Sequence, residues 1–141
     1  MNCDDETGAV AVEAALLAPA LLLVLALLMF GGRNALATGA VEQAAVDAAR
    51  AASLARTGPL ADTAARDAAA RSLADQDLDC ATITVQVDTS GFRTQPGQPA
   101  SVSSAVTCML RLSDLALPGI PGSKRISATA LSAVDTYRER R

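Results

Sequence analysis

Histidine is absent from the 141-residue chain, which removes the usual general base, the usual proton shuttle and the commonest metal ligand. Triad hydrolysis and His-containing zinc sites are excluded with it. The three cysteines, Cys3, Cys80 and Cys108, make a poor zinc site on their own. Cys80 and Cys108 are separated by a length suited to a hairpin. In an oxidising compartment they would form a disulfide worth roughly 2–4 kcal/mol. The glycine-containing stretches GPLADTAAR and GGRN lack both the spacing and the lysine of a phosphate loop. One carboxylate stands out: Glu13 lies near the start of a long apolar run, where ionisable groups are costly and therefore functional candidates. The plain alternative is that Glu13 sits at the membrane interface and reaches water. No constellation supports catalysis or a cofactor, so the chain reads as a non-enzyme.

The element that must position Glu13 is the run from Gly8 to Phe30, GAVAVEAALLAPALLLVLALLMF. No charge interrupts it from Ala14 to Phe30. A membrane-crossing helix needs roughly 20 apolar residues, and counting from Ala9 reaches that length. Backbone groups in lipid must pair internally, so the segment is helical, with Pro19 at most bending it. Gly31-Gly32-Arg33-Asn34 marks the exit. Beyond it, Ala37, Val41, Ala44, Ala48, Ala52 and Ala55 recur at helical spacing, which extends the helix to about Arg56 and gives a rod of roughly 70 Å with Gly39 as its weak point. Such a narrow alanine stripe suits close packing, either on the protein's own sheet or on another subunit.

Thr57-Gly58-Pro59 stops this helix and opens a second, from about Leu60 to Asp75, whose Asp62/Arg66 and Asp67/Arg71 pairs mark a solvated face. From Cys80 the period becomes two: Ile83, Val85 and Val87 form one strand face, Val102, Val106, Cys108, Leu110 and Leu112 another, and Ile126 to Val134 a weakly patterned third. The fold expected is α+β: a long N-terminal transmembrane helix, a second short helix and a small three-stranded antiparallel sheet. One obstacle faces the cysteine pair. These faces set odd residues of the first strand opposite even residues of the second, so a regular ladder cannot place Cys80 across from Cys108. Cys80 sits at the strand's entrance, where a bulge or an irregular turn would relieve the mismatch.

Apolar residues make up 50% of the chain but aromatics only 2%, and the many alanines bury little area each. A thin core of this kind usually needs a disulfide, a metal or a partner surface. Net charge is −3 with both signs mixed, which gives nucleic acid no basic patch.

A short polar stretch ending in glycine, then a small residue, then glutamate as the fifth residue after the glycine within an unbroken apolar helix, resembles the type IV prepilin pattern. The form VEAALLAPALLLVLALL is similar to the TadE/TadG-like branch, proteins of the tight-adherence (Flp) pilus and secretion apparatus. The resemblance extends to the alanine- and arginine-rich segment Val46 to Thr57 and to the β-rich end with its terminal SAVDTYRER. It implies a leader over residues 1–8, a transmembrane helix over 9–32, an extracytoplasmic helical segment over 33–76 and a small β-rich domain over 77–141. A prepilin peptidase would cut between Gly8 and Ala9, removing Cys3 with the leader. Glu13 would then pair with the new N-terminal ammonium of a neighbouring subunit during assembly. The implied protein is a minor pilin of a single-span kind, N-terminus cytoplasmic and C-terminal domain outside, whose partners are the membrane, other pilin-like subunits and the assembly machinery. The alternative is an uncleaved signal-anchored envelope protein whose outer domain binds a partner. Basic flanks normally stay cytoplasmic, and Arg33 and Arg50 follow the span; the cysteine pair argues the other way, for an outside domain.

Overall fold

Alanine at helical spacing after Phe30 dictates a helix that packs closely, and the computed structural model shows what it packs on. Residues 5–95, 97–111 and 122–135 are described, and 5–14 through their backbone alone. The first helix, α1, runs Asp5–Leu54 without a break, past Pro19 and past Gly39. At 1.5 Å per residue its 50 residues span about 75 Å. It ends two residues before the expected Arg56. Thr57, in extended conformation, caps the second helix, α2 (Gly58–Asp75), and its hydroxyl accepts the Leu60 N–H at 3.4 Å. Pro59 sits in the first turn, where it costs no hydrogen bond.

Three strands follow: β1 (Thr82–Asp88), β2 (Ala100–Arg111) and β3 (Ser123–Val134), antiparallel and in sequence order. The fold is α+β, as the sequence patterns required. Leu112, most of the connection Leu115 to Ser123, and the terminal segment after Asp135 lie outside the described residues, as do Met1 to Asp4 with Cys3. β3 begins three residues before the expected Ile126, at Ser123. A short 3-10 turn, Ser90–Arg93, follows β1. Within it Gly91 is obligatory, because a Cβ there would lie 2.2 Å from the Ser101 carbonyl oxygen.

The core is thin and built from small side chains. Ala37, Val41, Ala44, Ala45, Ala48 and Ala52 of α1 meet Ala61, Ala65, Ala69 and Leu73 of α2 and Val85, Val102, Val106, Cys108, Leu110, Ile126 and Val134 of the sheet. Burial of adjacent pairs such as Ala44/Ala45 and Ala48/Ala49 shows that α1 is covered on two sides. α2 folds back along one side, with the Ser72 hydroxyl donating to Asp47 at 2.7 Å and the Gln76 amide to the Ala40 carbonyl at 3.4 Å. The sheet covers the other, where Lys124 donates to the Asn34 side chain and Ser132 to Ser53 at 3.0 Å. From residue 34 to 53 α1 advances about 28 Å, and from 124 to 132 β3 advances about 26 Å. β3 therefore runs alongside α1 in the same direction. The alanine stripe is used internally, to bring helix and sheet together.

Candidate functional site

Within α1 the described residues from Ala15 to Met29 are all exposed. Leu16 is 72%, Leu22 66% and Met29 71% accessible, although these are the most apolar side chains of the chain. The apolar window has a mean hydropathy of 2.5 and no part of it is buried within the protein. A helix that is apolar all round and uncovered cannot stand in water; it is of the length and composition that cross a bilayer. In lipid its remaining surface is available only to acyl chains or to other helices.

Gly8, Ala9 and Glu13 fall on the first turns of this helix by backbone. The rise between Ala9 and Glu13 is about one turn, roughly 6 Å. The Gly8–Ala9 peptide lies inside the helical segment, upstream of the uncovered stretch. The structure thus places the three residues on one continuous element and leaves their side-chain surroundings outside the described set.

The cysteine pair is formed. Cys80 and Cys108 share a disulfide with Cα atoms 5.4 Å apart, and Cys108 is fully buried. The parity obstacle has a definite solution. β1 pairs with β2 through Ile83↔Cys108 and Thr82↔Met109, odd opposite even as the patterns require. The Ala81 N–H, however, also bonds to the Met109 carbonyl, at 2.8 Å. Two residues, Ala81 and Thr82, therefore face one, which is a bulge of one residue. It turns Cys80 from the outer to the inner face, towards Cys108.

Other polar groups fasten elements to each other. Asp47 accepts from Ser72 and from Gln43, the latter at 3.1 Å, holding α1 to α2. Asp88 accepts the Ser90 N–H at 2.9 Å in a turn that starts the 3-10 segment. That bond, aided by the Ser90 hydroxyl and Arg93, lowers the Asp88 pKa below the usual carboxylate value. The signal for this turn, Asp followed two residues later by Ser, is in the sequence; the Lys124–Asn34 contact, ninety residues apart, has no local signal. Surface grooves, such as that lined by Gln43, Asp47, Arg71, Ser72, Asp75 and Gln76, are open and polar-edged. Among the described residues no group of His, Cys, Asp or Glu could hold a metal ion.

Residues 8–50 match the family model described as TadE-like protein, the family that the N-terminal pattern resembles. The match begins at Gly8 and ends within the packed part of α1, so it covers the span and its continuation. No curated protein and no solved structure matches the chain.

Proposed function

Starting from the TadE-like character of residues 8–50, we propose that this protein is a minor pilin or pseudopilin-like structural component of a tight-adherence (Flp) type IV pilus or a related secretion apparatus. The observation that carries the reading is the uncovered apolar half of α1, continuous by backbone with Gly8, Ala9 and Glu13. Residues 9–32 cross the membrane, and a prepilin peptidase removes residues 1–8 between Gly8 and Ala9. The Glu13 carboxylate then meets the ammonium of a neighbouring subunit's new N-terminus. In a low-dielectric bundle of helices that pairing rewards correct axial register. The protein works by packing; the peptidase does the chemistry.

The folded part, 33–141, lies outside the cytoplasm. A Cys80–Cys108 bridge persists in an oxidising compartment and is reduced in the cytosol. Flanking charge pulls the other way, but it biases insertion without forbidding either topology, and the bridge supports the outside placement.

Mass spectrometry of the membrane-extracted protein tests the processing step. With the cognate peptidase present, the N-terminus is expected at Ala9, and Gly8→Leu is expected to block the cut. A mature N-terminus at Met1 would leave the signal-anchored alternative. Glu13→Ala should be inserted and cut yet fail to enter the assembly; normal incorporation would remove the pairing role. Alkylation before a non-reducing gel checks orientation, since two free thiols in the folded part would contradict both the bridge and the outside placement.

A further inference from the structure

The apolar half of α1 ends at Gly31-Gly32-Arg33-Asn34, and Asn34 accepts a hydrogen bond from the Lys124 ammonium. That contact pins the first residues of β3 at the level where the span leaves the lipid. β2, antiparallel to β3, ends at the same level, with Arg111 opposite Ser123, Leu110 opposite Lys124 and Met109 opposite Arg125. Three separate chain segments therefore deliver cations to one end of the folded part: Arg33 from α1, Arg111 from β2, Lys124 and Arg125 from β3. Arg111 and Arg125 share the outer face of the sheet as diagonal neighbours, roughly 7–8 Å apart. Lys124 lies on the inner face, towards α1. Arg33, Arg111 and Arg125 are exposed, and among the described residues no salt bridge engages any of the four.

Opposing charge stands back from this end. α1 carries no carboxylate between Glu13 and Glu42. Asp75 and Asp77 at the end of α2, and Asp79 before Cys80, approach it among the described residues; the Gln76–Ala40 bond sets the end of α2 about 9 Å along α1 from Asn34, and Asp114 lies in the connection outside the described residues. At the far end the signs mix, with Arg50, Arg56 and Arg93 near Asp88 and Asp135.

We propose that Arg33, Arg111, Lys124 and Arg125 form a binding site for anionic phospholipid headgroups, and that this site seats the folded part on the membrane surface. The inference rests on the reading that the apolar half of α1 spans the bilayer. Given that span, headgroup phosphates necessarily surround the exit at Gly31 to Asn34, and the four cations meet them without any movement of the fold. Each cation near an anionic surface raises affinity about fivefold. A single arginine beside a span could slide with the helix. Cations borne by a sheet that is fastened along α1 instead fix the depth and rotation of the helix, and with them the face of α1 offered to a neighbouring subunit.

The test uses the full chain, extracted in neutral detergent with equimolar phosphatidylglycerol and phosphatidylcholine, and counts retained lipids by native mass spectrometry. The wild-type chain is expected to retain phosphatidylglycerol over phosphatidylcholine by at least tenfold. The triple variant Arg33→Gln/Arg111→Gln/Arg125→Gln, which keeps the Lys124–Asn34 contact, should fall to within about threefold of parity. The far-end variant Arg50→Gln/Arg56→Gln/Arg93→Gln should keep the preference. An intact disulfide and unchanged circular dichroism show that each variant is folded. Equal retention of the two lipids by the wild type, or equal losses in both triple variants, overturns the headgroup site. Vesicle flotation separates this from failure of the span: a chain that floats with neither neutral nor anionic vesicles overturns the span reading and the headgroup site together, whereas one that floats with both and shows no preference overturns the headgroup site alone.

Discussion

The two halves of α1 share a backbone but not a composition, and they solve opposite problems. From Ala15 to Met29 the helix carries Leu, Val and Met, all exposed. From Ala37 to Ala52 it carries mostly alanine, with Ala44, Ala45, Ala48 and Ala49 completely buried. Large side chains on the first half present apolar area all round, as a bilayer-crossing helix requires. Small ones on the second half allow a helix on one side and a sheet on the other to approach its axis, so that backbone-to-backbone proximity replaces bulky interdigitation. Side-chain size, more than hydrophobicity, separates the surface that faces outward from the surface that makes a core.

The strongest way to break that comparison is to exchange sizes between the halves. Ala48→Leu forces three additional heavy atoms into a site with no free surface. It should destabilise the folded part by about 3 kcal/mol, read as a shift in the denaturant midpoint of the full chain in nonionic detergent. Leu22→Ala, at a position 66% exposed, should move that midpoint by less than about 0.5 kcal/mol. Equal effects of the two substitutions would show that the uncovered half contributes to the fold after all.

A second test asks whether the packed half stands on alanine contacts alone. Its core holds few large side chains, Leu73 being the bulkiest that is fully buried, and burial of alanine contributes little per residue. The Cys80–Cys108 bridge closes a loop of sequence separation 28, for which chain entropy predicts about 3.6 kcal/mol. Cys80→Ala/Cys108→Ala should lower the unfolding midpoint by that amount while leaving the helicity of the span unchanged. No loss would mean that the small-residue core suffices by itself.

Most of this architecture is legible in the sequence because it follows from periodicity. The apolar run, the alanine spacing and the alternation around Val85 and Val106 each announce their element. The cysteine pair is legible too, including the need for some irregularity at the strand's entrance, because strand parity is a counting rule; that the irregularity is a bulge is not. What escapes is nonlocal or individually costly. The first turn of β3, Ser123-Lys124-Arg125, does not look like a strand. It becomes one because Lys124, on the inward face, finds Asn34 of α1, a partner that no window of neighbouring residues contains. Ser104, inward and fully buried with no hydrogen-bond partner among the described residues, breaks the apolar alternation of β2 for the same reason: the ladder, not the side chain, decides its place. The roles proposed for Gly8, Ala9 and Glu13 are legible only as a pattern, since the chemistry proposed there would be supplied by other molecules.

The smallest effect concerns the end of α2, where the packed half is closed. The Asp77 N–H bonds to the Ala74 carbonyl at 3.0 Å and the Leu78 N–H to the Leu73 carbonyl at 3.1 Å, while Leu78 packs against the core. This is the paired closure that ordinarily places glycine at the left-handed position. Here Asp77 adopts φ 52°, a conformation that disfavours a side chain, though less for aspartate than for most residues. Asp77→Gly removes that penalty at the expense of a more flexible unfolded chain. The balance should favour the variant by about 0.5 kcal/mol, measurable as a small upward shift of the same denaturant midpoint. A downward shift would mean that the Asp77 side chain contributes more to the closure than its backbone costs, and that the packed half of the molecule is held at its end by a polar contact as well as by alanine.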